Sequence, residues 1–369
     1  MELLNATNMQ AAYTQGLDKE GRESLVVVVK GTFRIPVEGG EATLAETQNP
    51  LIMADTFSGK PGFSAPVYEA DFAPVKPRCD VVLVGSAHAP NGEPVSKLPV
   101  GLRVGSLVKT FNVVGDREWE NTGLTVSPGR PRPFLKLPIT YDRAFGGIDN
   151  FHFDSQQHSA FMANPVGRGY RRHLIDIEGK PVPNTEETER PISSPKGDYR
   201  PMSFGVIGRN WLPRYPLAGT YDQNWIDNIS PFLPPDFDNG YFQAAPPDQQ
   251  CPYLVGGEDV VLGNLAPKAQ LRFKLPTLAL PIVFFYKKGG RHETHGVIDT
   301  LVLEPDDGVF TLCWRTSLPL KRNMFEVSQV LAGKMSTAWW RARDLGKTYY
   351  PSLAALSRSN RRDTAEAGE

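Results

Sequence analysis

Apolar and polar positions along this chain alternate mostly with the period of strands. "ESLVVVVKGTFRI" (23–35) is β-branched and ends at Pro36 and Gly39-Gly40, which predicts a strand closed by a turn. "CDVVLVGSAH" (79–88) is a second apolar burst, ended by the turn residues "APNGEP". In "GLRVGSLVKTFNVVGDREW" (101–119) Leu107, Lys109, Phe111 and Val113 alternate, with a bulge expected at Gly105-Ser106. Strands return in "AQLRFKLPTLALPIVFFYKKGG" and in "HGVIDTLVLEPDDGVFTLCWR". There, "EPDDG" predicts a hairpin. Phe310, Leu312 and Trp314 share one face of its second strand, and Thr311, Cys313 and Arg315 the other.

Between these strand-rich parts the period disappears. From 127 to 250 the chain is rich in Pro, Gly, Asn and aromatic residues. "NTEETERPISSPKGDYRP" (184–201) is the most polar stretch and reads as an exposed loop. After Leu320 the spacing of Val327, Leu331 and Met335 predicts a helix through "MFEVSQVLAGKMSTAWWRARDLG", stopped by Gly346. The expected fold is mainly β: a sandwich-like or barrel-like platform with long Pro/Gly/aromatic loops and a short helical C-terminal segment. The expected β-rich unit spans 5–316, with room for two packed lobes, 5–145 and 250–316, bridged by 146–249. Residues 317–369 would form the helical segment and a charged tail.

Composition sharpens this reading. Of 369 residues, 34 are Gly and 33 Pro, above the usual combined share of about 12%, so turns and long loops are expected. The net charge of −1 argues against a partner that is a nucleic acid, which calls for a basic surface. The longest apolar runs, "LVVVV" and "LALPIVFFY", fall far short of the ~20 residues that span a bilayer. No secretory leader is visible at the N-terminus, so a cytoplasmic location without membrane attachment is expected. Cys79, Cys251 and Cys313 lie far apart and form no CxxC, which predicts reduced, buried thiols.

Candidate chemistry is sparse. "RHETHGVID" offers His292, His295 and Asp299, but HETH lacks the i, i+4 spacing of a helical zinc motif. Solvated imidazoles on a polar hairpin are the plainer reading, and a metal hydrolase at His292 and His295 is an alternative. "VGSAH" is not a nucleophile elbow. Asp236, Asp238, Glu258 and Asp259 lie near aromatic residues, as in sugar hydrolases, yet turn capping explains them as well. No phosphate loop is present. The expectation is no catalytic residue, no metal and no cofactor.

One feature of composition does stand out. Tyr221, Trp225, Phe232, Phe237, Tyr241 and Phe242 fall in one Pro-rich stretch, and Arg143, Arg168, Arg171, Arg172, Arg209 and Arg214 punctuate the same middle third. Aromatic residues and Arg are the enrichment found at protein contacts. The competing reading is that the rings roof a β core, and a mixed role is expected. Candidate contact positions are Tyr141, Arg143, Phe145, Arg168, Trp211, Arg214, Tyr221, Trp225, Phe237, Tyr241 and Phe242. A carbohydrate-binding module using exposed rings is a further alternative.

Six segments occur in order: "KTFNVVGDREW" (109–119), "PITYDRAFGG" (138–147), "NPVGRGY" (164–170), "GTYDQNW" (219–225), "LPPDFDNGYFQAAPPDQQ" (233–250) and "GGEDVVLGNLAP" (256–267). Together they resemble the type VI secretion effector-adaptor family, catalogued as a domain of unknown function. The resemblance covers about 5–316. It implies a cytoplasmic, non-enzymatic adaptor or chaperone. Its partner would be an effector with a PAAR-like tip domain, and the spike protein is a second candidate. The adaptor would assist loading and stay behind. No catalytic residue carries over.

Overall fold

A computed structural model describes residues 1–350 together with Ser352 and Ala354; the charged tail beyond lies outside the described residues. Strands dominate, as expected. In chain order the principal ones are β1 (Glu2–Asn5), β2 (Gln10–Leu17), β3 (Glu23–Arg34), β4 (Cys79–Leu83), β5 (Lys97–Val104), β6 (Leu107–Val114), β7 (Thr185–Glu186), β8 (Gln250–Cys251), β9 (Asp259–Gly263), β10 (Gln270–Lys274), β11 (Pro281–Tyr286), β12 (Arg291–His295), β13 (Val297–Glu304), β14 (Val309–Pro319) and β15 (Val327–Ala332). Helices include α1 (Gln223–Asn228) and α2 (Thr337–Asp344).

Three sheets organise the molecule. The largest runs β8-β4-β13-β14-β3-β2, with the short strand Thr43–Leu44 added beside β3. A second runs β7-β6-β5-β9-β10 and a third β1-β15-β11-β12. None of these sheets closes into a barrel. Their inner faces share one apolar core. β3 and β14 pair antiparallel, with Phe310 opposite Phe33 and Trp314 opposite Val29. The Phe310 ring stacks between Phe33 and Phe273, each 5.4 Å away, and so joins the largest sheet to the second. Truncating a ring at such a site typically costs ~3–5 kcal/mol.

The expected lobes 5–145 and 250–316 interleave within these sheets. β4 pairs parallel with β13, whereas β3 pairs antiparallel with β14 and β5 antiparallel with β9. β15, beyond residue 316, is enclosed between β1 and β11.

The second face of the largest sheet is buried but polar. Lys30, Thr32, Asp80, Asp299, Thr311, Cys313 and Arg315 lie there, covered by residues 45–77 and the start of 243–250. Lys30 pairs with Asp71 at 3.0 Å, Lys76 with Asp80 at 2.8 Å and Arg315 with Asp299 at 2.5 Å. Asp80 also accepts Gln243 Nε2 at 2.6 Å and the N–H groups of Ala244 and Ala245. A buried carboxylate needs such partners to keep its charge. Here they tie the end of the aromatic stretch to the sheet.

Several expectations are corrected. Gly105-Ser106 is not a bulge but the two-residue turn of the β5–β6 hairpin, with Gly105 at φ +56. The polar segment 184–201 is not wholly exposed. It begins with β7, where buried Glu186 accepts from Lys97 at 2.9 Å and Arg117 at 2.7 Å. The helix expected from 324 starts only at Thr337, because Val327, Val330, Leu331 and Ala332 are buried in β15. Tertiary pairing overrides the i, i+4 spacing there. No helix among the described residues is long and apolar enough to cross a membrane.

Candidate functional site

The aromatic stretch forms an arm with a locked foot and an exposed crown. At the foot, Arg214 is buried. It donates to Glu69 at 2.8 and 2.9 Å, to the Ile207 carbonyl at 2.8 Å and to the Tyr241 carbonyl at 2.7 Å. Beside it Arg209 bridges Asp55 at 2.9 Å and Glu69 at 2.5 Å. Burial opposes the charge of Asp55, but the hydrogen bonds from Arg209 and from the Ala70 N–H outweigh it and hold its carboxyl below the usual range. Trp211 packs edge-on against Tyr141, 5.3 Å between rings. A cavity of 250 Å³ opens here against Phe57, Tyr68 and Trp211, and its charged lining residues Asp55, Glu69, Arg209 and Arg214 are already paired.

The crown is built from 215–237. Asp222 caps α1 by accepting the Trp225 N–H at 2.9 Å. The Trp225 indole N–H donates to the Phe232 carbonyl at 2.9 Å, and the Tyr221 ring meets the Trp225 ring edge-on at 4.8 Å. Asp236 closes the arm by accepting from the Thr220 N–H and hydroxyl. Phe237 is buried below, with Tyr241 and Phe242 against it. Tyr215, Tyr221, Ile226 and Phe232 stand out into solvent, with Ile226 57% and Tyr221 52% exposed. Single exposed apolar residues on a surface mean little, but four on one short segment, 215–232, make it a candidate contact surface.

The predicted contact positions divide. Tyr221 is exposed, and Arg143, Arg168, Trp225, Tyr241 and Phe242 are partly exposed. Tyr141, Phe145, Trp211, Arg214 and Phe237 are buried. Those five are packing positions, not contact positions, because their surfaces are already spent on neighbours in the fold. Phe145, for example, lies within 5.1 Å of the Phe161 ring and 5.0 Å of the Tyr199 ring. Arg143 is held by Asp116 at 3.2 Å and the Asn184 side-chain oxygen at 3.1 Å. Ile226, Phe232 and Tyr215 were missed as contact candidates. Phe232 carried a signal, since it lies in the same aromatic stretch. Ile226 carried none, because only the outward turn of α1 exposes it.

The remaining candidate chemistry resolves into structure. Asp236 and Asp238 cap turns, Glu258 accepts the Val255 N–H at 2.7 Å, and Asp259 pairs with Lys274 at 3.3 Å. His292 and His295 lie on the edge strand β12 at i, i+3, which places them on opposite faces. Among the described residues no group of three or more His, Cys, Asp and Glu is placed to hold a metal. The three cysteines are free and buried, as expected.

One family model matches residues 20–315, and its description reads "Uncharacterized protein conserved in bacteria (DUF2169)". The expected membership in a family catalogued as a domain of unknown function is therefore shown. No curated protein and no solved structure matches the chain.

Proposed function

We propose, for a chain that belongs to this DUF2169 family of uncharacterized bacterial proteins, a role as a non-enzymatic adaptor. Its partner is a second polypeptide, gripped by the crown of the aromatic arm. Under the resemblance to type VI secretion adaptors, that partner is an effector, held through its PAAR-like tip domain until it is loaded on the spike.

One observation supports this reading above the others. The arm's foot is locked by buried ion pairs while its crown leaves Tyr221, Ile226 and Phe232 in water. A self-roofing loop would bury those side chains. A contact loop exposes them and is held rigid beforehand, which lowers the ordering cost of association. Charged and polar groups around the crown, among them Asp222, Asp227 and Asp236, form a wet rim that permits release.

The test is co-expression with a PAAR-like effector encoded beside this chain, followed by size-exclusion chromatography. Co-elution and a gain in effector solubility are expected. Separate elution at micromolar concentration, with no gain in solubility, contradicts the proposal. Quenching of Trp fluorescence by sugars without any protein partner would favour a carbohydrate-binding module instead.

A further inference from the structure

A second feature, away from the arm, carries too many hydrogen-bond donors for the acceptors around it. A cavity of 210 Å³ is lined by Trp119, Arg168, Arg171 and Lys180, with Gly147 and Gly169 among the backbone walls. Among the described residues no carboxylate lines it. Arg168 uses Nε for the Asp142 carbonyl at 3.1 Å, and its two terminal nitrogens have no acceptor among the described residues. Arg171 donates through Nη1 to the carbonyls of Ile148 and Tyr170, while its Nε is buried without a partner. Its guanidinium carbon lies 4.2 Å from the centre of the Phe151 ring. Trp119 is 1% exposed, and its indole N–H is also unpartnered.

The neighbouring acids have partners of their own, one of them Lys180 at the rim of the cavity. Asp149 accepts the N–H groups of Arg172 and His173 at 2.9 Å each and faces His173 Nδ1 at 3.4 Å. Asp176 pairs with Lys180 at 2.9 Å. Asp142 accepts from Ser58 and the Ala65 N–H. Asp116 pairs with Arg143. Burial, and for Arg168 the charge of Arg143, pushes both guanidinium pKa values down. Donors left without acceptors in a sheltered site are costly. A planar guanidinium fork is built to be met by an oxygen pair.

We propose that this cavity is an oxyanion site, taking one carboxylate or phosphate group on Arg168 and Arg171, with Lys180 at the rim. The volume is below the ~300 Å³ at which drug-sized ligands are housed. It suits a small anion, a chain terminus or one side chain.

The experiment uses the full chain alone, so its outcome is independent of the adaptor proposal. Isothermal titration with sodium succinate and, separately, inorganic phosphate is run at constant low ionic strength. One molecule of at least one of the two should bind per chain, with Kd below about 1 mM. Arg168→Gln and Arg171→Gln should each weaken it at least about tenfold. Lys180→Gln, at a half-exposed position that does not threaten folding, should weaken it about threefold. Arg130→Gln, in the adjoining cavity, should leave it unchanged. Phosphate alone binding would identify a phosphate group as the ligand, and succinate alone a carboxylate. No saturable binding of either by about 10 mM, or equal binding by the wild type, Arg171→Gln and Lys180→Gln, would overturn the proposal.

Discussion

Arg214 and Glu69 meet as a two-point ion pair, Nη1 to Oε2 at 2.8 Å and Nη2 to Oε1 at 2.9 Å, with both side chains almost out of solvent. The pair joins the foot of the aromatic arm to a segment that crosses the polar face of the largest sheet. Removing Arg214 leaves buried Glu69 with Arg209 alone and the Ile207 and Tyr241 carbonyls without this donor, and breaking such a buried pair typically costs ~3–5 kcal/mol. Arg214→Met should lower unfolding stability by about that much in urea titrations. Arg214→Lys should recover less than half, because one ammonium cannot meet both carboxylate oxygens and two carbonyls. The double variant Glu69→Gln, Arg214→Met should be less damaged than Arg214→Met alone. A loss under about 1 kcal/mol for Arg214→Met would show that the foot is not locked by this pair.

The arm's rings should separate by role. Phe237 is buried and Tyr221 exposed. Phe237→Ala should cost ~3–5 kcal/mol of stability, and Tyr221→Ala no more than about 1 kcal/mol. Thermal unfolding of both variants checks this. Equal losses would mean that the crown is packed interior after all.

This division also marks how far the sequence could be read. β3 and β4 are legible because short β-branched apolar runs end at turn residues, and the β13–β14 hairpin because Phe310, Leu312 and Trp314 repeat with period two after a turn. β15 is not legible, because Val327 and Leu331 suit a helix equally well until β1 and β11 flank them. That the aromatic stretch would hold both buried and exposed rings is foreseeable from composition. Which ring does which is not: Arg214 reads as a surface residue until Glu69, 145 residues away, is placed against it. Likewise the shared face of Thr311 and Arg315 is legible, but not its cover: Arg315 is buried by donating to the Asp71 and Ala73 carbonyls.

Lys109 offers a pH test. Burial is the main cause that pushes its pKa down to about 8, against the pull of Asp248. The folded protein therefore releases this proton near pH 8, and the unfolded chain near 10.5. Between those values the unfolded state holds more protons, so this site's contribution to stability rises with pH. The stability of the wild type relative to Lys109→Met should increase by about 3 kcal/mol between pH 7 and 10.5. Urea titrations of both proteins across that range measure it, with other titrating groups cancelling in the difference. A flat difference would contradict the depressed value.

The thiols should react in a fixed order. Cys79 and Cys251 are directly opposed across β4 and β8. Hydrogen bonding from Cys79 holds the Cys251 pKa down, while burial pushes Cys79 and Cys313 up. Iodoacetamide under native conditions should therefore modify Cys251 first, and the other two only after unfolding. Mass spectrometry of the alkylated peptides gives the order. Labelling of Cys313 as fast as Cys251 would refute it.

The most direct measurement is the affinity of a purified PAAR-like effector for the wild type and for a variant carrying Tyr221→Ser, Ile226→Ser and Phe232→Ser. The adaptor account predicts at least a thirtyfold weaker Kd, about 2 kcal/mol, with an unchanged melting temperature. An effector that binds both proteins equally well, or neither, would contradict it.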